Sequence, residues 1–275
     1  MNENNFSPVN ILFTGFFALM IVFVLFFQSL SSKTKIVFCD VGQGDAIYIR
    51  IKNKVDILID AGPDKKILNC LGKYMPFFDR KIEILVISHP QKDHYGGLLH
   101  LLQRYKINKI YMAKTKIPSS LMTLLKSINT LLVFTKANNT LKILNVDLIF
   151  LWPQAKTEIF CHNDNNCSSL VLLFKEGNFK ALFTGDTTAA ALSHLARKNI
   201  DNLINLNILK TPHHGSKYGL NREFLQLAGP EIAVISAGKN NTFGHPAKET
   251  LDLLQAFKTK IRRTDKEGDI IFQLQ

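Results

Sequence analysis

Five of the eight histidines in this chain follow short apolar runs, and each has a carboxylate, glycine or proline close by. The densest segment is Ser88-His89-Pro90-Gln91-Lys92-Asp93-His94-Tyr95-Gly96-Gly97. Two imidazoles and a carboxylate packed within six residues, at the exit of a buried run, supply the donors that a divalent cation takes. Pro90 stiffens the turn, and Gly96 and Gly97 let the next helix begin against it. Four further segments carry matching parts. Thr184-Gly185-Asp186 puts a carboxylate at the end of a hairpin strand. Thr211-Pro212-His213-His214-Gly215-Ser216 puts two imidazoles and a hydroxyl after another strand, and Gly244-His245-Pro246 opens a helix. Asp60-Ala61-Gly62 ends a strand with an acid, read here as the group that orients a ligating histidine rather than as a ligand. Each segment alone is a common turn. Together they describe a metal cage. His100 and His194 fall within helical stretches and His162 in a polar loop, so these three are read as structural or exposed.

Such side chains need a frame that ends several strands along one edge, where active-site loops of layered α/β folds collect. From residue 35 the chain alternates β-rich runs with helical spacing. Residues 35–40, 46–51 and 57–60 read as three consecutive strands separated by Gly and Asn turns. Residues 66–74 are helical, 82–88 form a continuous apolar strand, and 97–104 return to helical spacing. Strands are expected at 110–113, 131–135 and 141–151, with a helix at 119–127. Runs 169–174 and 179–184 flank Lys175-Glu176-Gly177-Asn178, a hairpin turn. Helices follow at 187–197, 223–227 and 246–257, and strands at 206–210, 232–236 and 270–274. Mixed strand runs and strand–helix units predict an α/β fold of two sheets sandwiched between helices, in one domain over residues 34–275.

A chain of 275 residues with 46% hydrophobic and 20% charged residues can bury one good core and is not disordered. The net charge of +12 suits an anionic partner such as nucleic acid, a phosphorylated metabolite or lipid headgroups. A solvated lysine-rich surface explains it equally well, because the basic residues are spread along the chain. Cys39, Cys70, Cys161 and Cys167 form no CxxC pair, which argues against a cysteine-ligated zinc. Cys161 and Cys167 are spaced to close a small loop in an oxidising compartment, but free thiols are the expected state.

After a short polar tail (residues 1–10), residues 11–27 carry no charge and no polar face. Seventeen helical residues reach ~26 Å, and extending the span to residues 11–30 crosses a hydrocarbon core with ease. No basic stretch precedes the segment, which favours an uncleaved single-pass anchor in the cell membrane, although Ser29-Leu30-Ser31 offers a small-x-small cleavage site. Lys33 and Lys35 follow it and favour the cytoplasm for the domain, a bias only two residues deep.

The order of these motifs resembles the metallo-β-lactamase-like domain of the ComEC family of competence (DNA-uptake) proteins. The resemblance runs through Asp40-Val41-Gly42-Gln43-Gly44-Asp45-Ala46, the His-rich loop, Asn163-Asp164-Asn165 leading to Ser169-Leu170-Val171, Thr184-Gly185-Asp186, Pro212-His213-His214-Gly215-Ser216, Gly244-His245-Pro246 and Arg263-Thr264-Asp265. It implies the αββα metallo-β-lactamase sandwich, a divalent-metal centre of one or two ions (Zn or Mn), and phosphodiester hydrolysis with DNA, in single strands, as substrate. The superfamily pattern is His-x-His-x-Asp-His, and the competence branch has Asp at the second ligand place; here it is Gln91, a neutral and weak donor. The third ligand place lacks its histidine, with Asn165 or Ser169 nearby. A full competence protein also carries a many-helix channel and a small nucleic-acid-binding fold, so this chain is not expected to transport DNA alone, and a competence channel protein is a fitting partner.

The expected centre is bound by His89, Asp93, His94, Asp186 and His245, with His213 or His214 completing it. The metal would bring the pKa of a bound water to about 7. Asp93 would orient or deprotonate the water, Ser216 would hold a phosphate oxygen, and Lys217 and Lys239 would attract a polyanion. Two other readings stay open: a non-catalytic module that binds DNA or a channel partner, which Gln91 favours, and a hydrolase of small esters or lactams.

Overall fold

The computed structural model describes residues 8–30, 33–154, 161 and 164–274. After helix α1 (Pro8–Leu30), β1 (Thr34–Phe38), β2 (Ile47–Ile51) and β3 (Val55–Ile59) form an antiparallel meander. Parallel strands β4 (Lys81–Ile87), β5 (Lys106–Ala113) and β6 (Leu131–Thr135) extend it. Their crossovers hold α2 (Ile67–Tyr74), α3 (Lys92–Tyr95), α4 (Leu98–Leu102) and α5 (Ser119–Lys126). The second half repeats the plan. Antiparallel β7 (Thr140–Ile143), β8 (Val146–Trp152), β9 (Val171–Glu176) and β10 (Phe179–Phe183) lead into parallel β11 (Ile208–Lys210), β12 (Ile232–Ile235) and β13 (Lys260–Arg263). Helices α6 (Ala189–Lys198), α7 (Ile200–Leu203), α8 (Arg222–Ala228) and α9 (Lys248–Ala256) make the crossovers, and the short α10 (Thr264–Glu267) precedes the last strand. That strand, β14 (Ile270–Leu274), returns to pair antiparallel with β1, so each sheet has seven strands: β14-β1-β2-β3-β4-β5-β6 and β13-β12-β11-β10-β9-β8-β7.

Apolar alternation explains the layering. One set of buried side chains, including Ile36, Phe38, Ile49, Phe150, Phe174 and Phe183, fills the space between the sheets, where the Phe38 and Phe183 rings lie 6.1 Å apart. The opposite faces pack on helices: Val37, Leu58 and Leu85 against Leu71 and Leu98, and Leu173, Leu182 and Leu209 against Leu192 and Phe224. Helix α8 shows the local logic. Asn221 caps it by accepting from Phe224 N at 2.9 Å, Gly229 ends it in the left-handed region, and Phe224, Leu225 and Ala228 are buried. The αββα sandwich expected from the sequence is therefore the observed one.

Four details differ from the sequence reading. Residues 141–151 are not one strand: Leu144 adopts φ 55° and turns β7 back into β8. An apolar residue in the left-handed region is a turn that propensity does not announce. Strand β13 was unforeseen, because Lys260-Ile261-Arg262-Arg263 has the charge of an edge strand and little apolar signal. The cysteines are not free thiols: Cys39 pairs with Cys70 and Cys161 with Cys167, at Cα separations of 5.8 and 5.4 Å. The first pair is 31 residues apart and meets only because α2 packs beside the end of β1. Lastly, α1 is a helix, yet side chains along it are described only at Asn10 and residues 12–23. Among the described residues no helix is long and apolar enough to cross a membrane. The polar tail at 1–7, His162 and Asn163 lie outside the described residues.

Candidate metal centre

The parallel strands of both sheets end at one edge of the sandwich, and the chemistry-bearing side chains follow them. Sheet one sends Asp60 after β3 and Ser88, His89, Asp93 and His94 after β4. Sheet two sends Asp186 after β10, Lys210 and His213-His214 at the end of β11, and Ser236 after β12. Gly185 lets the two edges meet. It sits at φ 52°, and a Cβ there would press on Ser88 and Ser169 at 2.9 and 3.0 Å. Leu170 N donates to Ser88 O at 2.7 Å, stitching the two sheets together, and His213 N donates to Gly185 O at 3.2 Å, joining the loops after β10 and β11. Three residues that are not glycine, Asp60, His213 and His214, adopt φ of 59°, 49° and 53°. Each such conformation costs about 1–2 kcal/mol and persists where surrounding structure over-determines it, a pattern common at functional sites.

One carboxylate oxygen is the focus. Around Asp186 Oδ2 stand His94 Nε2 at 3.3 Å, His214 Nε2 at 3.5 Å, and His89 Nε2 and His213 Nε2 both at 3.9 Å. Asp93 Oδ2 closes the ring, 3.3 Å from His214 Nε2 and 3.9 Å from His94 Nε2. Asp93, His94, Asp186 and His214 each offer a donor atom within 4.8 Å of the others. His89 Nε2, His94 Nε2 and Asp186 Oδ1 are buried without a hydrogen-bond partner. Natural folds rarely leave such atoms unpaired, since each costs about 1–3 kcal/mol. A divalent cation would satisfy them, and the nitrogen and carboxylate donors are of the type it takes. Charge argues the same way: Asp45, Asp60 and Asp186 act on one ammonium, that of Lys210, and Asp93 adds a fourth carboxylate on the far side of the imidazoles.

Outer partners hold the ring in place. Asp60 accepts from Ser88 N and Ser88 Oγ, both at 2.7 Å, and its Oδ2 lies 2.9 Å from His94 Nδ1. His214 Nδ1 donates to Ser236 O at 3.0 Å, turning Nε2 toward Asp186. Buried Lys210 pairs closely with Asp45, donates to Gly185 O at 3.0 Å and lies 3.7 Å from Asp186 Oδ1. Burial and the neighbouring His94 push His89 down to about 3, leaving it a neutral nitrogen donor. Burial would lower His94 and His214 too, but nearby carboxylates override it, raising His94 well above its ordinary value and His214 to about 9. Burial lifts the carboxyls of Asp45 and Asp186, yet Lys210 and the imidazoles outweigh it and hold both below the usual range.

The other residues singled out in the sequence fall in different places. His245 is one ring further out: its ring is 5.7 Å from that of His213, and the structure does not bring it into the tight donor group. Gln91 turns its amide to Asn166 and donates to Oδ1 at 2.5 Å. Buried Ser169 accepts from Asp186 N at 3.2 Å, whereas Asn165 is exposed. Ser216 braces its loop, accepting from Tyr218 N at 3.4 Å and, through its carbonyl, from Thr250 Oγ1 at 3.0 Å. Lys217 and Lys239 are exposed on the two histidine loops. Sequence reasoning assigned no role to Asp45 or Lys210. The available signal was a lysine ending the apolar run Leu206-Asn207-Ile208-Leu209-Lys210, and an acid held by Gly44, whose backbone packs on Asp93.

Comparison with known proteins bears on the fold. Residues 39–132 match the family described as the metallo-beta-lactamase superfamily. The chain is 28% identical to ComE operon protein 3 of Bacillus subtilis (strain 168), over 97% of this chain and 36% of that protein. It is 28% identical to competence protein ComA of Neisseria gonorrhoeae, over 86% and 31% respectively. The chain thus spans about a third of the length of the curated relatives it matches. Among solved structures it resembles the metallo-beta-lactamase fold protein YhfI from Bacillus subtilis, with a TM-score of 0.60 at 13% identity, over 88% of this chain and 100% of the other. From the shared fold, the motif order and these relatives, the chain carries a metallo-β-lactamase domain with homologues in the ComEC family of competence proteins.

Proposed function

We propose that the domain is a metal-dependent phosphodiesterase that cleaves DNA, tethered to a membrane by α1. The observation that carries this reading is the convergence of four imidazole nitrogens within 3.9 Å of a single carboxylate oxygen, Asp186 Oδ2. In this reading His89, Asp93, His94, Asp186 and His214 hold one or two divalent ions, Zn or Mn, with His213 at the opening. A bound divalent ion lowers the pKa of water toward 7 and polarises a phosphoryl oxygen. Asp93, which is only partly buried and faces the ring through Oδ2, accepts the proton of the attacking water. Asp60 and Ser88 fix the His94 ring, and Lys210 offsets Asp45 and Asp186 so that the carboxylates stay ionised in a dry site. The net charge of +12 and the competence relatives support DNA as the substrate.

The anchor rests on the sequence of residues 11–30, which carries no charge, and on the exposed Leu12, Phe13, Phe16, Phe17 and Phe23 along it. Two disulfides favour the oxidising side of that membrane over the cytoplasm, outweighing the bias from Lys33 and Lys35. A phosphatase fused to the C-terminus is expected to be active only if the domain lies outside.

A non-catalytic binding module is the second reading, favoured by Gln91, which binds Asn166 and brings no charge to the centre. Metal analysis of the full chain in detergent, after soaking in Mn or Zn, separates the two. At least one equivalent per chain supports the enzyme, and less than about a tenth supports the module. Assays with single-stranded DNA, bis(p-nitrophenyl) phosphate and nitrocefin then test the bond cleaved. Turnover of nitrocefin alone would replace the phosphodiesterase reading with a lactam hydrolase, and an Asp93→Ala or His94→Ala variant with undiminished rate would displace the centre itself.

A further inference from the structure

The rings of the centre continue outward past its donors. His89 lies 4.1 Å from His94 by ring centroid, His94 5.5 Å from His214, His214 6.2 Å from His213, and His213 5.7 Å from His245. The line ends on Phe243, whose ring stacks on His245 at 6.0 Å with planes 28° apart and is 69% exposed. Leaving a phenylalanine in water forgoes the gain from burying it. The backbone that carries it is also held. Asn241 accepts from Phe243 N and His245 N at 3.2 and 3.1 Å, and donates to Gly238 O and His245 O at 2.9 and 2.6 Å. A second exposed ring, Tyr218 at 71%, stands on the other histidine loop, with Lys217 Nζ over it at 5.1 Å. The charged side chains of these two loops (212–220 and 238–246), histidines aside, are Lys217 and Lys239, both exposed and neither opposed by an acid in either loop.

We propose that Phe243, with Tyr218 as a second wall, is a stacking platform for an unpaired nucleobase beside the centre. The inference rests on the phosphodiester reading and adds what the substrate must expose. Lys217 and Lys239 meet the flanking phosphates, and the line of rings leads the backbone past His245 and His213 toward Asp186. In a duplex both faces of each base are covered, so an exposed ring selects single strands, and it does so without reading sequence.

The test uses full-length protein in detergent micelles with EDTA, so that binding is measured without cleavage. Fluorescence anisotropy compares an oligothymidylate of about ten nucleotides with an abasic strand of equal phosphate count. Wild type is expected to bind the base-bearing strand about tenfold more tightly, Phe243→Ala to lose that difference, and Phe243→Trp to restore it. Equal binding of both strands by wild type, or an undiminished difference in Phe243→Ala, overturns the platform. Cleavage of the same oligothymidylate after Mn addition is scored separately. A base preference that depends on Phe243 without cleavage keeps the platform and removes the phosphodiesterase reading. Cleavage with no dependence of binding on Phe243 does the reverse.

Discussion

Two buried charged networks, one within the first sheet and one where the edges of both sheets meet, differ in completeness. Around β2 and β3, Tyr48 OH and Arg50 Nη1 both donate to Asp56 at 2.5 Å, Arg50 Nη2 donates to Asn53 O at 3.0 Å, and Asp56 N donates to Glu83 at 2.9 Å. Arg50 Nε is its one unpartnered side-chain atom among those described. The network beyond the ends of β3 and β4 leaves His89 Nε2, His94 Nε2, Asp186 Oδ1 and Asp45 Oδ1 unpartnered, and holds its backbone in the left-handed region at Asp60. A satisfied buried network holds a fold together, whereas an unsatisfied one with surplus carboxylates is shaped for something else. Tyr48 and Asp56 are as buried as His89, His94 and Asp186, so the difference at these positions lies in pairing.

Four measurements break or sharpen that contrast. The largest effect is expected at Asp186: Asp186→Ala should lower bound metal below about a tenth of an equivalent and hydrolysis by more than about 100-fold. Metal analysis showing wild-type content in that variant would erase the distinction between the networks. Next, Asp56→Ala leaves buried Arg50 with only Asp79 at 3.2 Å and Asn53 O, and takes the acceptor from Tyr48 OH, so urea unfolding should show a loss of about 3 kcal/mol, while the folded fraction keeps its metal. Third, metal affinity should climb with pH. Carboxylates around His214 raise it to about 9, so below that pH the metal-free cage carries a proton that a cation must displace. Mn titrations are therefore expected to weaken by about tenfold per unit from pH 8 to pH 7 for each displaced proton. The stability that this raised pKa lends the metal-free protein is full below about 6.5 and is lost as pH rises through about 9. The smallest change is expected at Gln91. Gln91→Asp supplies the missing charge, and Mn titration should show a second equivalent binding about threefold to tenfold more tightly.

Much of the site was legible because its donors follow strands in local clusters. His89, Asp93 and His94 lie within one turn of chain, and His213 and His214 are adjacent, so composition over a few residues was enough to mark them. The sandwich was legible for a similar reason: strand alternation and helical spacing are short-range patterns. The Leu144 turn escaped because its backbone conformation contradicts its residue type, and β13 because an edge strand rich in Arg and Lys has no apolar rhythm.

The donor types, their order along the chain and the two-sheet frame were written in the sequence, since each is encoded by neighbours a few residues apart. Which of those donors meet was settled by the tertiary structure. It set His245 behind His213, turned Gln91 onto Asn166, joined Cys39 to Cys70, and buried Lys210 against Asp45 from the other sheet. Asp45 and Lys210 are separated by most of the domain, and only the packing of β11 beside β10, with both sheets closing over one core, brings their charges within reach. Coulombic coupling depends on distance in space, and distance along the chain does not report it.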